Sequence, residues 1–290
     1  MTSKAAWALL GCKNQAEQLM KYCSDISMPP AIVVIPPDCP PEDRSSMIEL
    51  CRRESVDFRV LHKKKELLSL DLPNVILTCR FFVLPREVLE DRACYNIHSS
   101  LLPRWAGIHP VEWAIVSGDS HAGVTIHELT EEIDDGKVVN RFECRILDND
   151  TANSLRARLD KASIFLAAEL LNKVTSGQSV TVLPKLCIEK SWARRRKPTD
   201  SEINFRMPGK KVHNTIRAMS GTGHPAYFVY NDQKVELTSS TVISTDSSHE
   251  TFSRFAGERL IEIQFPNVRI HVEVKSDFFD LQFLEDEIAS

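Results

Sequence analysis

Short, unbroken apolar runs set against segments of helical period constrain this chain most. Residues 5–10 (Ala5-Ala6-Trp7-Ala8-Leu9-Leu10) are apolar throughout and end at Gly11. Ala16, Leu19, Met20 and Cys23 then share one helical face, and a second run, Ala31-Ile32-Val33-Val34-Ile35, stops at Pro36-Pro37. A strand buried on both faces reads as a continuous apolar run, so strand, helix and strand in about 30 residues predict a βαβ unit of a parallel sheet. Phe58-Arg59-Val60-Leu61 and Val75-Ile76-Leu77-Thr78-Cys79 extend the series, separated by a helix on Met47, Ile48, Leu50 and Cys51. Gly11 stands alone, without the further glycines of a dinucleotide-binding turn. The proline-rich, acidic residues 36–43 read as a surface loop. The lysines at 63–65 open a short helix or turn and read as a solvated face.

Further along, strands are expected at residues 93–95, 122–128 and from 138 to 142 onward. A helix follows His109-Pro110 and stops at Gly118. A long helix capped by residues 148–151 carries Leu155, Leu159, Ala162, Leu166, Leu170 and Val174 on one face. The character changes near Pro184. Arg194-Arg195-Arg196-Lys197 form a basic connector, and a helical pattern on Val212, Ile216 and Met219 follows. Alternating segments at 226–230, 235–237, 260–263 and 268–274 predict a small antiparallel β domain, with 239–253 as a long loop or ragged hairpin. The expected fold class is therefore α/β: a doubly wound, mostly parallel sheet over residues 1–190, and a small β domain over 191–290.

Composition narrows the classes of function. With 290 residues, 42% hydrophobic, 26% charged and a net charge of −4, the chain can bury a core without staples and has no general bias toward polyanions. Its eight cysteines form no CxxC pair and read as reduced, buried thiols, giving neither a disulfide framework nor a metal site. The run at 5–10 is too short for a signal peptide or membrane span, so a cytoplasmic protein is expected.

The chemistry concentrates between Asn96 and Gly136. Asn96 and His98 lie two apart at the end of a predicted strand, so their side chains project to one face. If the fold returns the distant Asp134 to that face, the three supply an amide donor for a developing oxyanion, a base of near-neutral pKa and a carboxylate to orient it. Those are the groups that acyl transfer to an amine requires. An Asn-x-His pair by itself is otherwise a structural feature.

The run Asn96-Ile97-His98-Ser99-Ser100-Leu101-Leu102-Pro103-Arg104-Trp105-Ala106-Gly107, with Gly123-Val124-Thr125 and Ile133-Asp134-Asp135-Gly136 downstream, resembles the signature of the 10-formyltetrahydrofolate-dependent formyltransferases. That superfamily includes methionyl-tRNA formyltransferase, glycinamide ribonucleotide formyltransferase and the sugar N-formyltransferases. The resemblance covers roughly residues 6–180, and residues 195–218 look like the entry to the family's C-terminal domain. It implies an OB-like C-terminal domain and a formyl-folate co-substrate, with no metal. It also implies that Asn96 polarises the formyl oxygen, that His98 moves a proton, and that Asp134 orients His98 and a water. Phe82, Val83, Leu84 and Ile133 would line the pterin pocket, and Ser100, Leu101, Leu102 and Pro103 would form the loop against the folate. Asp135 is expected to be a turn residue. Ala106 stands where relatives often carry arginine.

The acceptor expected from this reading is the primary amine of a nucleotide-linked amino sugar, because residues 107–114 are similar to the sugar enzymes. Against methionyl-tRNA stand the acidic residues 36–43, where the tRNA enzymes carry a basic insertion, and the excess of acidic over basic residues from 201 to 290. A hydroxyornithine-like small amine is an alternative acceptor. A formyl-folate hydrolase would need the same three residues, but the strand at Ala5 is expected to leave no place for its usual N-terminal regulatory domain. Arg194 to Lys197 read as a solvated linker, with contact to a diphosphate as the alternative. Pairing of the strands near Leu260 and Val268 between two subunits is expected only by analogy.

Overall fold

The computed structural model of the protein describes residues 6–79, 83–230, 232–245, 252–257 and 259–275. In chain order the elements begin with β1 (Trp7–Gly11), α1 (Lys13–Asp25), β2 (Ile32–Ile35), α2 (Pro41–Arg53), β3 (Asp57–Val60), β4 (Val75–Cys79), α3 (Arg86–Leu89), β5 (Ala93–His98) and β6 (Ala106–Gly107). They continue with α4 (Pro110–Ser117), β7 (His121–Glu128), β8 (Val138–Arg145), α5 (Ala152–Thr175), β9 (Trp192–Ala193) and α6 (Gly209–Met219). The last five are β10 (Ala226–Tyr230), β11 (Gln233–Ser244), β12 (Phe252–Gly257), β13 (Leu260–Phe265) and β14 (Val268–Val274). Two compact units result: Met1–Gly107 with Gly123–Glu143 and Arg158–Trp192, and Ile108–Ala122 with Cys144–Ala157 and Ala193–Ser290.

The first unit holds a sheet of order β3-β2-β1-β4-β5-β7-β8. β1 pairs in parallel with β2 and β4, β2 with β3, and β4 with β5, so the chain starts in the middle and winds outward both ways. β5 pairs antiparallel with β7. Every residue of β1 and β4 is buried, which accounts for their unbroken apolar runs. Ala8, Leu10, Val34, Ile76 and Leu84 belong to one core cluster, closed by Leu61, Leu67, Leu72, Val88 and Cys94.

Four expectations are corrected. α2 begins inside the acidic segment read as a loop, because Pro41 sits at the helix start, where its fixed φ suits the first turn, and Glu42 and Asp43 favour the positive end of the helix dipole. On α5 the buried stripe runs through Leu155, Leu159, Ser163, Ala167 and Leu171, whereas Ala162, Leu166 and Val174 are half-buried. That rotation lets Gln15 of α1 donate to Asp160 (3.0 Å) and to Ser163 (3.1 Å) under the surface. The segment from Ser239, read as a long loop or ragged hairpin, continues β11 to Ser244, and the strand that follows, β12, pairs with β13 and not with β11. Of the cysteines, Cys187 is exposed and Cys144 half-buried, while the other six are buried, and all are free.

The second unit carries an antiparallel sheet of order β10-β11-β14-β13-β12, against which α6 packs on β11 and β14. α6 also packs on α4. Within α4 the buried Glu112 faces Arg156 (3.0 Å), His109 (3.6 Å) and Arg196 (3.8 Å). Burial pushes its carboxyl up, but His109, Arg156, the helix backbone and Arg196 outweigh that and hold it at about 2. Among the described residues no helix is long and apolar enough to cross a membrane.

Candidate active site

Three neighbouring strands supply the polar face of the first unit. In register, Thr78 of β4 lies beside Asn96 of β5, Asn96 lies opposite His127 of β7, and His98 lies opposite Thr125. Directly opposed residues project to the same side, so the alternation that pairs Asn96 with His98 also brings His127 and Thr125 to that side. The expectation that Asn96 and His98 share a face holds, since both lie within β5.

Asp134 comes to this face from the loop between β7 and β8. Its backbone is left-handed (φ 52), a conformation aspartate tolerates better than most side chains. Oδ2 accepts from the Gly107 amide at 2.8 Å and lies 3.6 Å from His98 Nδ1. Oδ1 lies 3.5 Å from His127 Nε2. The loop turns hard against β7. A Cβ added to Gly136 would stand 1.7 Å from the Glu128 carbonyl oxygen, so only glycine fits there. Asp135 points elsewhere, to Lys190 (3.2 Å) and Lys185 (3.7 Å).

The hydrogen bonds fix the orientation of each group. His127 Nδ1 lies 2.9 Å from the Glu128 carbonyl, which can only accept, so Nδ1 carries a proton. In neutral His127 the bare Nε2 then accepts from Asn96 Nδ2 at 3.2 Å. Asn96 Oδ1 in turn accepts from Thr78 Oγ1 at 2.8 Å. Both ends of the carboxamide are thus assigned, and one Nδ2 hydrogen is left for an incoming oxygen. His98 Nε2 lies 2.9 Å from the Trp105 carbonyl, so it too carries a proton, and neutral His98 presents the lone pair of Nδ1 toward Asp134.

Electrostatics favour that neutral form as the resting state. Burial pushes His98 below its ordinary value, against opposing contributions from Asp134 and the Trp105 carbonyl, with His127 adding to the fall. Asp134 feels burial in the upward direction, but its neighbours His127 and His98 and the hydrogen bond from the Gly107 amide hold it below the usual carboxylate range. A charged carboxylate therefore waits beside a neutral imidazole, and protonation of Nδ1 would create a largely buried ion pair. Among the described residues no three such side chains are grouped to hold a metal ion.

The remaining expected site residues fall into different settings. Ser100 is buried, donates to the Arg104 carbonyl (2.7 Å) and accepts through its own carbonyl from Thr125 Oγ1 (2.7 Å). Thr125 Oγ1 also receives the Leu102 amide (3.2 Å), and a cis peptide joins the buried Leu102 to the half-buried Pro103. Leu101 packs toward Gly123. Leu84 lies in the core of the sheet, whereas Val83 and Ile133 are each more than half exposed. Phe82 lies outside the described residues. Thr78 and His127 have no place in the sequence reading of the site. The signal for His127 is its spacing in Thr125-Ile126-His127, the same i, i+2 pattern that singles out Asn96 and His98.

Two family profiles match the chain, "Formyl transferase" over residues 42–170 and "Formyl transferase, C-terminal domain" over residues 195–277. It is 36% identical over 154 residues to a methionyl-tRNA formyltransferase of Phenylobacterium zucineum, covering 52% of this chain and 50% of that protein. To a methionyl-tRNA formyltransferase of Thermodesulfovibrio yellowstonii it is 29% identical over 211 residues, covering 71% and 67%. The chain spans about half to two thirds of the length of these curated relatives. Among solved structures, the sugar 3N-formyl transferase WlaRD, crystallised with dTDP and 5-N-formyl-THF, shares the fold with a TM-score of 0.75 at 18% identity, covering 94% of this chain and 98% of that one. An N-formyltransferase from Helicobacter canadensis, in complex with folinic acid and dTDP-3-aminofucose, gives a TM-score of 0.75 at 18% identity, over 93% and 99%.

Proposed function

The chain belongs to the formyl transferase family, and from that premise we propose that it moves the formyl group of 10-formyltetrahydrofolate to a primary amine. The observation that carries the reading is the convergence of one free Asn96 N–H, the Nδ1 lone pair of His98 and the Asp134 carboxylate on one face of β5. The folate supplies an acyl carbon activated by its N10 substituent. Asn96 donates to the formyl oxygen as the amine nitrogen bonds to the carbon and negative charge gathers on that oxygen; such a donor is worth about 2.7–4 kcal/mol of barrier. His98 accepts the proton the amine sheds and returns one to N10 as the carbon–N10 bond breaks, so tetrahydrofolate leaves neutral. A positioned base of this kind contributes about 10²–10⁴-fold. Asp134 stabilises the imidazolium in between. The half-exposed Ile133 beside Asp134 offers an apolar surface suited to a pterin ring.

For the acceptor, the reading is an amine on a nucleotide-linked sugar. It is supported by the sugar N-formyltransferases that share the fold along nearly the whole of both chains, and by the acidic balance of residues 201–290. A second reading, methionyl-tRNA, is favoured by the names of the sequence relatives. The test offers 10-formyltetrahydrofolate with dTDP- and UDP-linked amino sugars and, separately, with methionyl-tRNA, and follows tetrahydrofolate release and the mass of the acceptor. Formylation of a sugar supports the first reading and formylation of the tRNA replaces it. Folate turnover with every acceptor unmodified points to hydrolysis.

A further inference from the structure

We propose that Ser191 is a positioning residue for His98, acting through the peptide groups on either side of Trp105; the catalytic part of this inference rests on the function proposed above. Trp105 has a left-handed backbone (φ 58), which a bulky L-residue adopts only when its surroundings hold it there. Its carbonyl, thus directed, meets His98 Nε2 at 2.9 Å. Ser191 holds both flanking peptides: its Oγ accepts from the Trp105 amide at 3.0 Å, and its carbonyl oxygen accepts from the Ala106 amide at 2.9 Å. The Ser191 amide also donates to the Pro103 carbonyl at 3.3 Å. Any residue supplies the two backbone bonds, but the bond to the Trp105 amide requires the hydroxyl.

The same segment reaches the other side of the imidazole. Lys185 and Lys190 pair with Asp135, the neighbour of Asp134, so residues 185–191 touch both the loop that bears the Nε2 partner of His98 and the loop that bears its Nδ1 partner. The groups facing His98 are the Trp105 carbonyl, Asp134 and, edge-on at 6.5 Å between ring centroids, His127. Only the first depends on Ser191. Without the hydroxyl, the peptide before Trp105 loses its side-chain anchor while the Ala106 amide keeps its bond to the Ser191 carbonyl. The left-handed turn at Trp105 then slackens, and with it the contact that selects the Nε2–H tautomer of His98, the one that leaves Nδ1 free as the base.

The experiment compares Ser191→Ala and Ser191→Thr with the parent. ¹⁵N NMR of the labelled imidazole reads tautomer and titration, and steady-state kinetics read kcat and KM against pH. Loss of one hydrogen bond of this kind predicts a fall in kcat of about tenfold with KM for the folate unchanged. His98 should populate the Nδ1–H tautomer and titrate at lower pH, and threonine should restore both. Should Ser191→Ala not fold, Ser191→Cys keeps the volume with a weaker acceptor and gives the same reading. Parent tautomer and titration in a folded hydroxyl-free variant would overturn the proposal, as would a loss of thermal stability with unchanged kcat. If the parent itself transfers no formyl group, the functional reading fails, while the imidazole spectra still decide the role of Ser191.

Discussion

Asn96 and His127 face each other across β5 and β7, and the carboxamide nitrogen of one lies 3.2 Å from the ring Nε2 of the other. With its Nδ1 proton committed to the Glu128 carbonyl, neutral His127 offers Nε2 as an acceptor and so sets which end of the Asn96 amide points to the site. His127→Ala should therefore lower kcat by about tenfold, the worth of one orienting hydrogen bond. KM for the folate should stay near the parent value. Steady-state kinetics check this, and an unchanged kcat would remove His127 from the site.

His98→Ala should abolish transfer while folate binding persists, since in the proposed function the imidazole handles a proton and does not hold the pterin. Fluorescence titration with the folate, beside the turnover assay, separates the two. Retained turnover would overturn the assignment of His98.

The pH profile carries a sign. The base must be neutral, and burial holds His98 below the ordinary imidazole range, so kcat/KM should rise with pH through a midpoint below about 6.5. Asp134 raises the His98 value, so Asp134→Asn should move that midpoint lower still while reducing kcat by about 10²-fold. A midpoint that stays in place would separate Asp134 from His98.

Glu112 makes a stability prediction. Its folded value of about 2 lies below an ordinary carboxyl, so its contribution is complete above about pH 4.5 and is lost as pH falls toward 2. The shift corresponds to about 3 kcal/mol. Glu112→Gln should lower the midpoint of urea unfolding at pH 7 and flatten the fall in stability between pH 4.5 and 2. Parallel pH–stability curves for parent and variant would contradict it.

Gly136→Ala forces a methyl group into the Glu128 carbonyl. The loop must shift, carrying Asp134 from its place, at about 1–3 kcal/mol of strain. Both Tm and kcat should fall. An unaltered Tm would mean that the loop yields without resistance.

Much of the fold is legible in the sequence. The apolar runs at β1, β2 and β4 announced strands buried on both faces, and the i, i+2 spacing of Asn96 and His98 announced a shared face. Asp134 joins them only through the family resemblance, because its approach depends on a turn made by Gly136 against β7, whose pairing beside β5 local periodicity does not give. Thr78 and His127 stayed hidden for a related reason. Their roles arise from register between strands, a long-range property that no window of sequence displays. The start of α2 is concealed because prolines mark both loops and first helical turns, and the rotated face of α5 because Gln15 bonds to polar residues on a stripe expected to be apolar.

β5 runs antiparallel to β7 at the margin of the parallel strands β3-β2-β1-β4-β5. In such a pair, the step from one residue to the next changes sides on both strands, so the opposition of Asn96 to His127 and of His98 to Thr125 stands or falls as one. A single residue inserted between Gly123 and Thr125 would reverse the facing of Thr125 and His127 together. That stretch of β7 therefore tolerates no change in length.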